Sequence, residues 1–204
     1  MILGIDASNN CTPIANALAK AGRAFVCRYY ANFGKKRLTH SEAQALSQAG
    51  LQIVTVWEDG SPTKATYFSY AKGVDDGTSA YHDAVSLGQP SGSAIYFAVD
   101  FDPTPSDISG VIADYFRGVA DGFKAIADGN PQYQIGVYGS GLTCSTLCQQ
   151  QSLAKYSWLA MARGWRQYAY SGWSIKQGVG RKIGGIPVDY DQAIADYGAF
   201  VIAP

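Results

Sequence analysis

Asp100 and Asp102 stand two residues apart at the end of IYFAVDFD (95–102), a run that passes from apolar to acidic in one step. Two carboxylates on one face of a strand end repel each other and hold on to protons, which raises the pKa of at least one. A site obtains a general acid beside an ionised base in this way at neutral pH. The pair has company. Asp6, Glu58 and the couple Asp189 and Asp191 close other apolar runs, in LGID, VTVWE and PVDYD. Arg28, Tyr29, Tyr30, Trp57, Tyr138 and Gln177 end further runs of the same kind.

Three chemistries can run on carboxylates alone. Glycoside hydrolysis places two of them across the scissile bond. A magnesium or calcium site gathers several, often with substrate phosphates. A non-catalytic glycan groove uses them to accept hydrogen bonds from sugar hydroxyls. Triad chemistry has less to work with: His40 opens a helical pattern, His82 lies within one, and YGSGL (138–142) does not match G-x-S-x-G. No dinucleotide or P-loop fingerprint occurs, and no His or Cys cluster accompanies the acids, so no cofactor and no metal ligand is assigned.

The elements that must position these residues alternate. Strand patterns fall at 2–6, 23–30, 51–58, the 95–102 motif, 134–139, 156–161, 172–177 and 186–191. Helical patterns fall between them, at about 13–21, 39–50, 62–87, from 104 onward and at about 141–152. Thr39 and Glu42 read as a capping box. A break is expected near Gly73–Gly77. GVGRKIGG (178–185) reads as a loop, and hairpin turn chemistry is absent until the last pair of strands. Strict alternation of eight short strands predicts an α/β (β/α)8 barrel, a TIM-type barrel trimmed in its last two βα units, with residues 1–204 as a single domain. In such a barrel the strand ends converge on one rim, where the acids would meet.

Composition narrows the partners. Of 204 residues, 16 are Lys or Arg and 16 are Asp or Glu, and no basic run occurs, which argues against nucleic acid. No stretch approaches the roughly 18 apolar residues of a membrane helix. MILGIDASNN is not a signal peptide, so action at the cell wall or periplasm would require export by another route. The chain is read as a monomer. Cys11, Cys27, Cys144 and Cys148 fit buried thiols, with a disulfide as the alternative.

GIDAS, IYFAVDFD, GVYGS, WLA, WSIKQ and VDYDQA, in that order, resemble the family 25 lysozymes. GVDDGTSAYHDAVSLGQPSGSAIYFAVDFD (73–102) is closer still to the bacterial glycoside-hydrolase-like domains of unassigned function. The resemblance implies a glycosidase acting on peptidoglycan or a related amino-sugar polymer, or a weakly active glycan-binding relative on the same fold. It implies catalytic roles for Asp6, Asp100, Asp102 and Asp189, with Asp102 where the lysozymes carry a glutamate general acid. Arg28, Tyr30, Trp57, Glu58, Tyr138, Gln177 and Asp191 would bind the substrate. Asp102 departs from the lysozyme pattern, because its carboxyl reaches about 1.5 Å less far than a glutamate's.

Overall fold

The computed structural model describes residues 1–32 and 34–203. Eight strands close into a barrel in sequence order: β1 (Ile2–Asp6), β2 (Phe25–Tyr30), β3 (Gln52–Trp57), β4 (Ala94–Ala98), β5 (Gln134–Gly139), β6 (Tyr156–Leu159), β7 (Ile175–Ile183) and β8 (Ile186–Ala193). Pairings from β1 through β7 are parallel. β8 runs the other way and pairs antiparallel with both β7 and β1. The expected eight-stranded barrel is present, with its last unit replaced by a hairpin. The stretch read as a loop at 178–185 is mostly the second half of β7, and Gly184 and Gly185, both at positive φ, make the turn.

The helices are α1 (Ala15–Lys20), α2 (His40–Gln48), α3 (Tyr70–Leu87), α4 (Pro105–Asp107), α5 (Ala113–Ile126) and α6 (Gly141–Ser145). α4 is a single turn that continues through Ile108–Ile112 into α5. Thr104 and Asp107 cap it reciprocally. The expected break near Gly73 does not occur, and α3 runs through both of its glycines. Those glycines serve close approach. A Cβ on Gly73 would come within 2.0 Å of the Tyr115 carbonyl oxygen, and one on Gly118 within 2.1 Å of that of Tyr70. α3 and α5 therefore pack backbone to backbone.

Strand alternation sorts the side chains into two layers. Phe25, Cys27, Val54, Val56, Tyr96 and Trp158 fill the barrel interior. Tyr30, Trp57, Ile53, Phe97 and Val137 pack between the barrel and the helices. The C-terminal segment plugs the floor: Tyr96 donates from its hydroxyl to the Tyr197 carbonyl at 2.9 Å, and the Tyr197 ring packs on Phe25. The opposite rim stays open. All four cysteines are free thiols, three of them buried. No helix among the described residues is long and apolar enough to cross a membrane.

Candidate active site

The interior face of each strand carries its last side chain to the open rim. Asp6 ends β1, Tyr29 lies near the end of β2, and Glu58 and Asp100 follow β3 and β4. Tyr138 sits on β5, Trp158 on β6 and Gln177 on β7. Asp189 arrives from the opposite direction, because β8 is reversed, and lies directly across from Asp6. Together with Val56 these residues line one cavity of about 250 Å³. Of the residues singled out in the sequence, Asp6, Asp100, Asp189, Glu58, Tyr138 and Gln177 meet there.

Asp191 lies one layer deeper, 1% exposed, two residues further along β8 on the same face. Its Oδ1 accepts from the Trp158 indole N–H at 3.1 Å. Its Oδ2 is buried without a hydrogen-bond partner among the described residues, and the Asp6 carboxyl is its charged neighbour. Burial, followed by the charge of Asp6, pushes Asp191 well above the carboxylate range. Its deeper burial favours the neutral form.

Asp6 is also buried, at 4% exposure. Burial raises its pKa to about 7, with Asp189 adding to the shift, while the Gln177 hydrogen bond and the polar groups of Asp191 and Tyr29 oppose it. Gln177 is held for this task. Its Oε1 accepts from the Met161 backbone N–H at 3.0 Å and the Tyr138 hydroxyl at 3.2 Å, so its amide nitrogen must face Asp6, at 3.0 Å. Asp100 is raised to about 6 by burial and then by the charge of Glu58, with Lys36 working against it. Lys36 pairs with Glu58 at 3.1 Å. Among the described residues nothing donates a hydrogen bond to the Asp100 carboxyl, so both of its oxygens are available to a ligand. Burial also raises Asp189.

Besides the deeper Asp191, four expected site residues do not line this cavity. β4 ends at Ala98, so strand alternation no longer governs Asp102. Arg166 fastens it instead: its backbone N–H reaches Asp102 Oδ1 at 2.9 Å and its guanidinium reaches Oδ2 at 2.7 Å. Arg28, Tyr30 and Trp57 have the wrong parity and point away from the barrel interior. Arg28 is fully buried against Glu42, with Nε–Oε1 at 2.7 Å and Nη2–Oε2 at 3.1 Å, and also donates to the Ala7 carbonyl. Glu42 additionally accepts from Cys11 N–H at 2.7 Å. It therefore does not complete the capping box read from the sequence; only the Thr39 half forms. Tyr30 donates to Gln89 at 2.7 Å. Trp57 is buried in the outer layer. Two rim residues lacked an assigned role in the sequence reading, Tyr29 and Trp158. Counting two residues on from Cys27 and Tyr156 would have found both.

A second groove, of about 500 Å³, adjoins the first and shares Asp6, Tyr29 and Asp189 with it. Ala7 and Ser8 line it on one side, Gly180, Arg181 and Lys182 on the other. No group of three or more His, Cys, Asp or Glu among the described residues is arranged to hold a metal ion.

Comparison with known proteins bears on this geometry. The model of the Rv2525c-like, glycoside hydrolase-like domain matches residues 16–197. YbfG of Bacillus subtilis (strain 168) is 35% identical over 121 residues, which is 58% of this chain and 16% of YbfG; the chain thus spans about a sixth of that relative's length. The crystal structure of the Mycobacterium tuberculosis Tat-secreted protein Rv2525c in complex with HEPES superposes with a TM-score of 0.75 at 24% identity, covering 97% of this chain and 98% of that one. The bacterial lysozyme from Streptomyces coelicolor has a TM-score of 0.57 at 13% identity, with 95% and 92% covered. At these identities the two structures share a fold with this chain, which extends the barrel likeness to a lysozyme.

Proposed function

The chain belongs to the Rv2525c-like, glycoside hydrolase-like domain family, and we propose that it is a glycosidase acting on peptidoglycan or a related amino-sugar polymer. One observation carries this: a single rim cavity is lined by four carboxylates, and burial pushes two of them up, Asp6 to about 7 and Asp100 to about 6. Asp100 is the proton donor. It faces the cavity with both oxygens unoccupied, and the neighbouring Glu58 favours its neutral form. Asp6 is the ionised partner. It receives a hydrogen bond from Gln177 at 3.0 Å, and its charge would stabilise the oxocarbenium-like transition state of glycosidic cleavage. Tyr138 and Gln177 hold the geometry, and Asp189 flanks Asp6. The metal-dependent alternative has no ligand cluster among the described residues to start from.

The test is digestion of purified peptidoglycan, with new reducing ends counted and released fragments weighed by mass spectrometry. The parent should generate reducing ends, and Asp100→Asn should lower the rate by about a hundredfold or more, the usual worth of a general acid. Asp6 holds its proton up to about 7 and Asp100 only to about 6, so the acting form, Asp100 protonated and Asp6 ionised, is the minor of the two singly protonated forms; the kcat/KM profile should still be bell-shaped, with limbs at about 6 and about 7. A parent that leaves the polymer intact overturns the assignment. One specific observation favours a binding protein instead: the acid at the lysozyme general-acid position, Asp102, is held by Arg166 outside the cavity. Retention of intact peptidoglycan without new reducing ends would decide for that function.

A further inference from the structure

We propose that the groove between the β7–β8 hairpin and the loop after β1 is a subsite for an anionic substituent of the glycan, a carboxylate carried on the sugar next to the one attacked, recognised by Arg181 and Lys182. The proposal rests on the glycan assignment above and names the substrate's charge. Its basis is how the groove is built. The groove opens from the rim cavity through the shared residues Asp6, Tyr29 and Asp189, so a chain lying in one extends into the other. The end next to the cavity is acidic and the far wall is basic.

The two signs do not cancel each other. Neither Arg181 nor Lys182 forms an ion pair with a described residue, and neither contributes to the shifts of Asp6 or Asp189. A neutral sugar at the carboxylates and an anion at the hairpin is the ligand whose charges match both ends. Inorganic cations or a uniformly basic polymer would meet repulsion at one of them.

The basic wall is also fixed in place. Arg181 and Lys182 pair in register with Val188 and Pro187 across the hairpin. The turn sits on Ile14, close enough that a Cβ on Gly184 would fall 2.6 Å from Ile14 Cγ2. Gly180 leaves room where the groove meets the cavity, since a Cβ there would stand 2.9 Å from Asp189 Oδ1. Long cationic side chains on a docked, two-stranded ribbon lose less freedom on binding than they would on a loose loop.

The experiment titrates the chain with two soluble tetrasaccharides by calorimetry. One is built of N-acetylglucosamine alone; the other alternates N-acetylglucosamine with N-acetylmuramic acid, which carries a carboxylate. The parent should bind the carboxylated glycan more tightly, by about three- to tenfold, as two exposed charges can supply. The preference should shrink toward one in the Arg181→Gln/Lys182→Gln double variant, and toward one in the parent at about 0.5 M salt. Both residues are exposed, so the fold is not at stake. A preference that is absent in the parent, or unchanged in the variant, overturns the subsite and leaves the glycan assignment standing. Preferential binding without any cleavage keeps the subsite and removes the hydrolase. Failure to bind either glycan removes both.

Discussion

Two buried charge systems sit back to back across the β1–β2 wall of the barrel, and they are built on opposite principles. On the outer face, Arg28 and Glu42 are both fully buried and pair through two contacts, and their remaining polar atoms go to Ala7 and Cys11. On the inner face, Asp6 and Asp191 are buried nearly as deeply with no cation beside them, and one Asp191 oxygen is left without a partner. The outer pair fixes the loop that follows Asp6. The inner pair is left electrically unbalanced and faces a cavity. Structural charge in this barrel is satisfied charge; the unsatisfied kind is concentrated where a ligand can enter.

The sharpest break in that comparison is Glu42→Gln. It leaves the Arg28 guanidinium buried without a counter-charge, and loss of one member of a buried pair costs about 3–5 kcal/mol. Urea unfolding should show a loss of that size. The loop Ala7–Cys11 should exchange its amide protons faster, because Glu42 also holds the Cys11 N–H. A variant within about 1 kcal/mol of the parent would mean that the outer pair is not the structural anchor described above.

The mirror experiment on the inner pair should move stability the other way. Burial raises Asp191, Asp6 and Asp100 above their unfolded value of 3.8. The folded state therefore binds more protons than the unfolded one above about pH 4, and stability falls as pH rises from there through about 6 and about 7. Asp191→Asn removes one of these groups. The asparagine oxygen can still accept from Trp158. The variant should gain about 1–2 kcal/mol at pH 8, gain less at pH 5, and show a flatter dependence of Tm on pH. A loss of stability at pH 8 would show that the buried proton is worth more than the desolvation it relieves.

The same contrast explains how much could be read from the chain alone. The eight strands and the acids at their ends were legible, because apolar runs punctuated by polar residues report burial directly. The face on which each residue lies was harder to read. Tyr29 and Tyr30 are adjacent and chemically alike, and only the register of β2 against its neighbours sends one to the cavity and the other to the helices. Arg28 looked like the rim's cation; its partner Glu42 is on a helix 14 residues away and looked like a cap. Gly73 and Gly77 looked like a helix break because glycine lowers helix propensity, and the reason for them lies on α5. The hairpin at 178–185 reads as a loop because four of its eight residues are glycine; pairing with β8 supplies the strand. In each case the deciding contact is distant in sequence.

Asp102 gives the smallest expected effect and the finest test of the division between satisfied and unsatisfied charge. The sequence sets it beside Asp100 and the lysozyme resemblance makes it the acid. The structure gives it a cation instead, with Arg166 occupying both of its oxygens. The pair is partly exposed, with side-chain accessibilities of 24% for Asp102 and 43% for Arg166, so it belongs to the class worth about 1 kcal/mol or less. Asp102→Asn can still accept from the Arg166 backbone N–H and should cost no more than that. If Asp102 belongs with the satisfied charges, the variant should also hydrolyse peptidoglycan within about threefold of the parent, where Asp100→Asn falls by about a hundredfold. Equal losses in the two variants would mean that Arg166 releases Asp102 when the glycan binds. The acid would then be Asp102 after all, with Asp100 its partner. Arg166→Gln separates the cases further. It should leave the rate nearly unchanged if Asp102 is only an anchor, and raise or shift it in pH if the ion pair restrains a catalytic acid.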